Sequence, residues 1–222
     1  MTGVAVVGAG RIGIPWAVVL AVEVDIPVTC IDIDEKRVEK LNNGIPPFAE
    51  PELERYLREA IDRGNFNATT NKDAVRNHEY VALTVNAPRG GMSDFVDLVE
   101  DYAGRLVDRQ VVVARTTLPV DMVSTMWEVV DTHAEGSPTF TTFPERLAEG
   151  KAIDEIKSLP KIVGVMDDAG RTAMHDLLEG LNCPIRFTDV ETAMFVKLID
   201  NSYRDALFAI SNQIAFTSDQ LG

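Results

Sequence analysis

The stretch Val4-Ala5-Val6-Val7-Gly8-Ala9-Gly10-Arg11-Ile12-Gly13 constrains this chain more than any other. A short valine-rich run reads as a buried strand. It ends in G-x-G-x-x-G, and beyond it Ile14, Ala17, Val18 and Ala21 recur at helical spacing. Gly8 permits a tight turn, and Gly10 carries no Cβ to block a pyrophosphate. Gly13 lets the helix pack against the strand, while free N–H groups at the helix start, around Arg11, Ile12 and Gly13, face phosphate charge. A second apolar run, Val28 to Ile31, closes on Asp32. A carboxylate there accepts hydrogen bonds from an adenosine ribose and repels a 2′-phosphate, which points to NAD over NADP.

The rest of the chain repeats strand then helix. Strands are expected at Phe66 to Thr69, Tyr80 to Val85, Val111 to Ala114, Thr139 to Thr142 and Ile162 to Val165. Helices are expected at Glu35 to Leu41, from Glu50-Pro51-Glu52-Leu53 through Ile61, and at Phe95 to Leu106, Val120 to Val130 and Ala169 to Leu181. This alternation predicts an α/β fold, a doubly wound, Rossmann-like parallel sheet. From Glu191 onward there is no Pro, and no Gly before Gly222, while Phe195, Leu198, Ile199, Leu207, Ile210 and Ile214 recur on a helical period. One long C-terminal helix follows. The expected division is a dinucleotide-binding domain over residues 1–188 and a connecting or dimerisation helix over 189–222.

Composition excludes several partners. The net charge of -14 repels nucleic acid and anionic membranes, so neither is expected as a partner. The acidic excess, with Arg outnumbering Lys, resembles adaptation to high salt. No apolar run approaches a membrane span and no basic leader precedes the first strand, so the expected location is cytoplasmic. Cys30 and Cys183 form neither a disulfide framework nor a metal-ligand spacing, and no metal is expected.

In an open parallel sheet, ligands gather at the carboxyl ends of the strands. Four strand ends carry distinctive residues: Gly8 to Gly13, Asn86-Ala87-Pro88, Thr116-Thr117-Leu118-Pro119, and Phe143 to Gly150. Lys197 and Asn201 share one face of the last helix, where an ammonium and an amide could stabilise an oxyanion, although a solvated polar face has the same spacing. Glu145 and Glu149 are also four apart; two adjacent carboxylates would raise one pKa and supply a general base, although helix N-termini are often acidic.

The order of these motifs resembles the nucleotide-sugar 6-dehydrogenases, the UDP-glucose, GDP-mannose and UDP-N-acetylmannosamine dehydrogenase family. Gly8 through Ala17 resembles G-x-G-x-I-G-L-P-x-A, and Asn43-Gly44 through Glu54 resembles N-x-G…E-P-x-L-E. Thr116 to Val120 is similar to S-T-V-P-V, Phe143 to Gly150 to C-P-E-R-x-x-x-G, and Thr192 to Asn201 to T-A-E-M-x-K-x-x-x-N. The resemblance implies two NAD-dependent oxidations that take a sugar C6 alcohol to a carboxylate. It implies that Asp32 holds the ribose with Arg37 beside it, and that Asn86, Ala87 and Pro88 line the cofactor. Thr117 and Glu149 would face the nicotinamide end, and Glu145 would activate water. Lys197 and Asn201 would hold the substrate oxygen, with Arg146, Leu147 and Arg204 toward the sugar. Independently of the resemblance, the last helix is too apolar to be left exposed and suggests a homodimer or a docking surface for the missing half.

Three departures stand out. The V-P-T-P of the family reads Val85-Asn86-Ala87-Pro88, the glutamate of T-A-E-M is Met194, and the family's catalytic cysteine lies in a later glycine-rich segment that nothing here matches. The sequence therefore looks like the N-terminal part of a longer enzyme without its C-terminal UDP-sugar-binding domain, able to bind NAD but not to complete the oxidation. Asn201-Ser202-Tyr203-Arg204-Asp205 leans toward the UDP-N-acetylmannosamine branch. Two other readings stay open: a 3-hydroxyacid dehydrogenase-like enzyme, which also carries Lys-x-x-x-Asn on a long helix, and a non-catalytic NAD-binding or dimerisation module.

Overall fold

A computed structural model describes residues 3–85 and 92–221. Eight strands form one sheet: β1 Val4–Val7, β2 Val28–Ile31, β3 Phe66–Thr69, β4 Tyr80–Leu83, β5 Val111–Ala114, β6 Thr139–Thr142, β7 Lys161–Val165 and β8 Ile185–Thr188. Their order across the sheet is β3-β2-β1-β4-β5-β6-β7-β8. The order reverses beside β1, where the chain leaves β3 at one edge and crosses to β4. That reversal opens a crevice at the carboxyl ends of β1 and β4.

The pleat divides the core. Val4 and Val6 point to one face, and Ala5 and Val7 to the other, all at most 1% exposed. The first face packs on helices α1 (Gly13–Val19), α3 (Leu53–Asp62), α6 (Ala152–Ser158) and α7 (Asp168–Leu178) through residues such as Trp16, Leu57, Ile153 and Met174. The second packs on α4 (Ser93–Ala103), α5 (Asp121–His133) and the start of α8 (Val190–Leu221) through Phe95, Val123, Met126 and Met194. Helix α2 (Glu35–Asn42) begins after Asp34, whose side chain caps the Arg37 N–H. Continuous apolar strands are what a sheet covered on both faces requires.

Some boundaries differ from expectation for identifiable reasons. Pro51 does not open α3: Glu52 is left-handed (φ 63°), so the helix starts at Leu53. The Glu50 carboxylate instead accepts the N–H groups of Gly150 (3.0 Å) and Ala152 (2.8 Å), tying this turn to the start of α6. Helix α1 widens into a π-helical turn over Leu20–Val24, and its last carbonyls are met by Arg63 Nη1 on Val22 O and Asn65 Nδ2 on Ala21 O. Neither α6, only seven residues long, nor the half-buried edge strand β8 carries a periodic signal strong enough to read from sequence.

The sheet is mostly parallel, but β7 pairs antiparallel with β6, with Thr141 opposite Val165 and Thr142 opposite Gly164. This inversion brings the start of β7, at Lys161, to the edge where β6 ends. Gly164 lets α8 sit directly on the sheet, because a Cβ there would lie 2.2 Å from Thr142 Oγ1 and 2.6 Å from Val190 Cα. The Thr142 hydroxyl donates to Val190 O at 2.8 Å and seats the helix. From Ser202 onward α8 is exposed, with Leu207, Ile210 and Ile214 uncovered.

A Cβ on Gly13 would fall 2.0 Å from Gly8 O and 2.6 Å from Thr84 Oγ1, whereas one on Gly10 would meet nothing within 4 Å. We expect Gly13→Ala to cost about 3 kcal/mol and Gly10→Ala less than about 1 kcal/mol in urea unfolding. Equal costs would contradict the close-approach role of Gly13.

Candidate functional site

The glycine turn leaves β1 with Gly8 at φ +99°, a backbone state that L-residues with side chains rarely adopt. Thr84, just past β4, points its hydroxyl at Val7 O and Gly8 O, both 2.8 Å away, and so closes the turn from below. Gly10 stands over open space. Asp32 is 8% exposed and already anchored: Oδ2 accepts the Ala9 N–H (2.8 Å) and Arg37 Nη1 (2.9 Å), and Oδ1 accepts the Asp34 N–H (3.0 Å). A carboxylate offers about four lone-pair positions, so one remains for an incoming hydroxyl. Arg37 is the one of the three partners carried on a side chain, and it can swing away. An apolar slot of about 90 Å³ opens beside this carboxylate between Ile33, Leu98 and Tyr102. These three residues carried no motif, although Ile33 is 82% exposed and directly follows the acid.

The second part of the site lies where β5 and β6 end. Thr116 donates to Val85 O (2.7 Å) and holds the β4 and β5 termini together, placing Thr117 half-exposed beside them. Residues 143–148 have no regular structure, so Glu145 and Glu149 do not share a helix face. The expected pair of neighbouring carboxylates is replaced by two separate ion pairs. Glu145, with a side chain 15% exposed, meets Lys197 Nζ at 3.0 Å, and Lys197 is 3% exposed. Its other oxygen accepts the Leu147 N–H at 2.8 Å. Glu149, 76% exposed, meets Arg11, whose guanidinium also lies 5.2 Å from the Phe48 ring centroid. Together Arg11, Ile12, Glu145, Leu147 and Glu149 surround one cavity of about 130 Å³.

Helix α8 clamps these loops. Met194 Sδ receives the Leu118 N–H at 3.4 Å, Lys197 takes Glu145, and Asp200 takes Arg146 Nε at 2.5 Å. The Arg146 guanidinium is thereby engaged within the protein rather than extended toward a ligand. Asn201 stays partly exposed, one turn beyond Lys197, and its Oδ1 accepts Arg204 Nη2 at 3.2 Å. Residues 86–88 lie outside the described residues. Cys30 is buried in the middle of β2, and burial together with the charge on Asp32 pushes its thiol far up from its ordinary range. Cys183 packs partly against the core beside Lys161. Among the described residues no cluster of three His, Cys, Asp or Glu could hold a metal ion, and no helix is long and apolar enough to cross a membrane.

A family model described as the NAD binding domain of the UDP-glucose/GDP-mannose dehydrogenase family matches residues 2–182. Curated relatives include the UDP-N-acetyl-D-mannosamine dehydrogenase of Methanococcus vannielii, 27% identical over 99% of this chain and 52% of the relative. The UDP-glucose 6-dehydrogenase of Rhizobium meliloti is 28% identical over 99% of this chain and 53% of the relative. The chain thus spans about half the length of the curated relatives it matches. In fold it is similar to the UDP-D-ManNAc dehydrogenase of Pyrococcus horikoshii, with a TM-score of 0.90 at 24% identity over 100% of this chain and 55% of the other. It is also similar to the GDP-mannose dehydrogenase of Pseudomonas aeruginosa, with a TM-score of 0.89 at 20% identity over 96% and 52%.

The two ion pairs differ in solvation, and this gives a test. Lys197→Met leaves a largely desolvated carboxylate without its cation and should cost about 3 kcal/mol. A double-mutant cycle with Glu145→Gln should return a coupling above about 1.5 kcal/mol, against less than about 0.5 kcal/mol for Arg11 and Glu149. Equal couplings would contradict the buried assignment.

Proposed function

Because the chain belongs to the UDP-glucose/GDP-mannose dehydrogenase family, we propose that it is the cofactor half of a nucleotide-sugar 6-dehydrogenase. The observation that carries this reading is one of placement: the glycine turn with its anchored Asp32 and the buried Lys197–Glu145 pair stand along the same carboxyl edge of one sheet. The residues fit NAD, since Gly10 leaves the approach to the turn open and Asp32 keeps one acceptor position free. Asp32 would hold the adenosine ribose, with Arg37 yielding to it, and Arg11, Ile12 and Gly13 would meet the pyrophosphate. Residues 86–88 and Thr117 would line the nicotinamide end with Glu149. When bound, NAD accepts a hydride from the sugar C6 carbon in each of two oxidations.

The chain's own groups supply the proton chemistry. Lys197 Nζ, ion-paired with Glu145, would donate to the reacting substrate oxygen and stabilise charge as it forms there. Asn201 adds an amide donor one turn away. Glu145 Oε1 would take the proton from the water that attacks a thioester carried by the cysteine of the missing half, as the C–S bond breaks and the thiolate leaves, and its Lys197 contact would shift to the substrate. Leu147 and Arg204 would stand on the sugar side, as would Arg146 if its ion pair with Asp200 opened on binding. Of the two sugar classes, Arg146 beside Asn201-Ser202-Tyr203-Arg204-Asp205 favours UDP-N-acetylmannosamine.

The proposal keeps the division between residues 1–188 and 189–222. The uncovered apolar stripe of α8 then serves a homodimer, in the cytoplasm and in high salt. The alternative enzyme class is separable by assay. With NAD and small 3-hydroxyacids this chain should form no NADH absorbing at 340 nm, whereas turnover would favour the hydroxyacid reading. Asp32→Asn should weaken NADH binding, read by energy transfer from tryptophan, at least about tenfold with circular dichroism unchanged. Full affinity in that variant would remove the ribose assignment.

A further inference from the structure

The cations along the carboxyl edge differ in how far they are committed. Lys197 is 3% exposed and paired with Glu145, and Arg146 gives its Nε to Asp200. Arg115 is sealed under aromatic rings. Its guanidinium carbon lies 4.2 Å from the Trp16 centroid and 4.4 Å from that of Phe143, and its Nε and Nη1 have no hydrogen-bond partner. Arg11 is different. Its side chain is 60% exposed, and that of its partner Glu149 is 76% exposed. An ion pair left in water gives little to the fold, so it is easily exchanged for a stronger partner.

The two ends of this pair are held far more firmly than the pair itself. Arg11 follows Gly10 in the turn that Gly8 and Thr84 close. Glu149 stands in a segment whose backbone is pinned on both sides. The Ala148 N–H donates to Glu155 at 2.6 Å, and those of Gly150 and Ala152 donate to Glu50. Gly150, at φ +81°, turns the chain between them. Both walls belong to the cavity that Arg11, Ile12, Phe48, Glu145 and Glu149 surround, and the ion pair joins them. The Arg11 guanidinium meets Glu149 through Nη1 and rests over the Phe48 ring. It is carried by a residue whose own N–H group faces the phosphate site. A pyrophosphate there brings two charges and oxygens that match the planar fork of a guanidinium.

We propose that the Arg11–Glu149 pair is a strap across the cofactor crevice, closed in the free chain and opened by a dinucleotide pyrophosphate, which takes the Arg11 guanidinium and frees Glu149. Glu149 thereby opposes cofactor binding through Arg11, whereas Arg11 favours it. The inference rests on the reading of the glycine turn as a cofactor site and adds an order of events to it. Glu149 is uncovered toward the nicotinamide end only once phosphate is in place.

The test is calorimetric titration of this chain with ADP-ribose, which carries the adenosine and the pyrophosphate but no nicotinamide for Glu149 to meet. Glu149→Gln should bind it about threefold more tightly than the parent chain, and Arg11→Met at least about fivefold more weakly. In the Arg11→Met background Glu149→Gln should change nothing, and in Arg11→Lys it should keep part of its effect. A pair with a purely structural role would weaken binding from either end. Simple repulsion between Glu149 and the ligand would persist without Arg11. Binding by the parent with no gain in Glu149→Gln, or an equal gain in the Arg11→Met background, overturns the strap and leaves the cofactor reading standing. No binding by the parent or any variant overturns both.

Discussion

Where β1, α1 and β4 meet there is no room for a side chain. A Cβ on Gly13 would lie 2.0 Å from Gly8 O, and Thr84 Oγ1 occupies the remaining space while bonding Gly8 O. This contact fixes how α1 leaves the sheet, and much else follows from it. It sets where Trp16 lies, and so where Arg115 and Phe143 can pack. It also aims the Ala9 N–H at Asp32, which orients the acid at the end of β2. The turn is therefore a spacing device for the crevice as well as a place where backbone donors are free.

The last helix completes the other half of the edge. Its first third is seated by Thr142 on Val190 O, then touches the β5 turn through Met194 and the β6 loop through Lys197 and Asp200. The lysine and aspartate reach the same loop with opposite polarity, so shifting the loop by one residue would oppose like charges. A buried ion pair is weak evidence for stability but good evidence for register. The inverted β7 adds Lys161 at this edge, where its ammonium is held by the Ile156 and Leu159 carbonyls rather than by a carboxylate.

Much of this was legible in the sequence, and the reasons are local. The glycine spacing, the valine runs and Asp32 each encode a backbone requirement, so β1, α1, β2 and the carboxylate that closes β2 could be read directly. The length of α8 was visible because nothing in it interrupts a helical period. What failed depended on distant partners. Glu145 and Glu149 are four apart, but Gly150 and the Glu50 cap on α6 hold their segment open, and each carboxylate finds a different cation. Arg146 carries no sign in sequence that Asp200 will take it. The antiparallel β7 and the orphaned guanidinium of Arg115 are tertiary facts with no periodic trace. Asn86, Ala87 and Pro88 fall outside the described residues.

The central claim is that the crevice beside β1 is a site for NAD, selected by Asp32. Arg37 makes this a real question, because a guanidinium 2.9 Å from that carboxylate could instead receive a 2′-phosphate. The direct measurement is calorimetric titration of this chain with NAD and with NADP, each in low and in high salt. The account predicts binding of NAD with NADP at least about tenfold weaker in both salts, since an 8% exposed carboxylate is screened little. Equal affinities would mean that Arg37, not Asp32, governs the ribose end. No binding by a folded sample would contradict the claim itself.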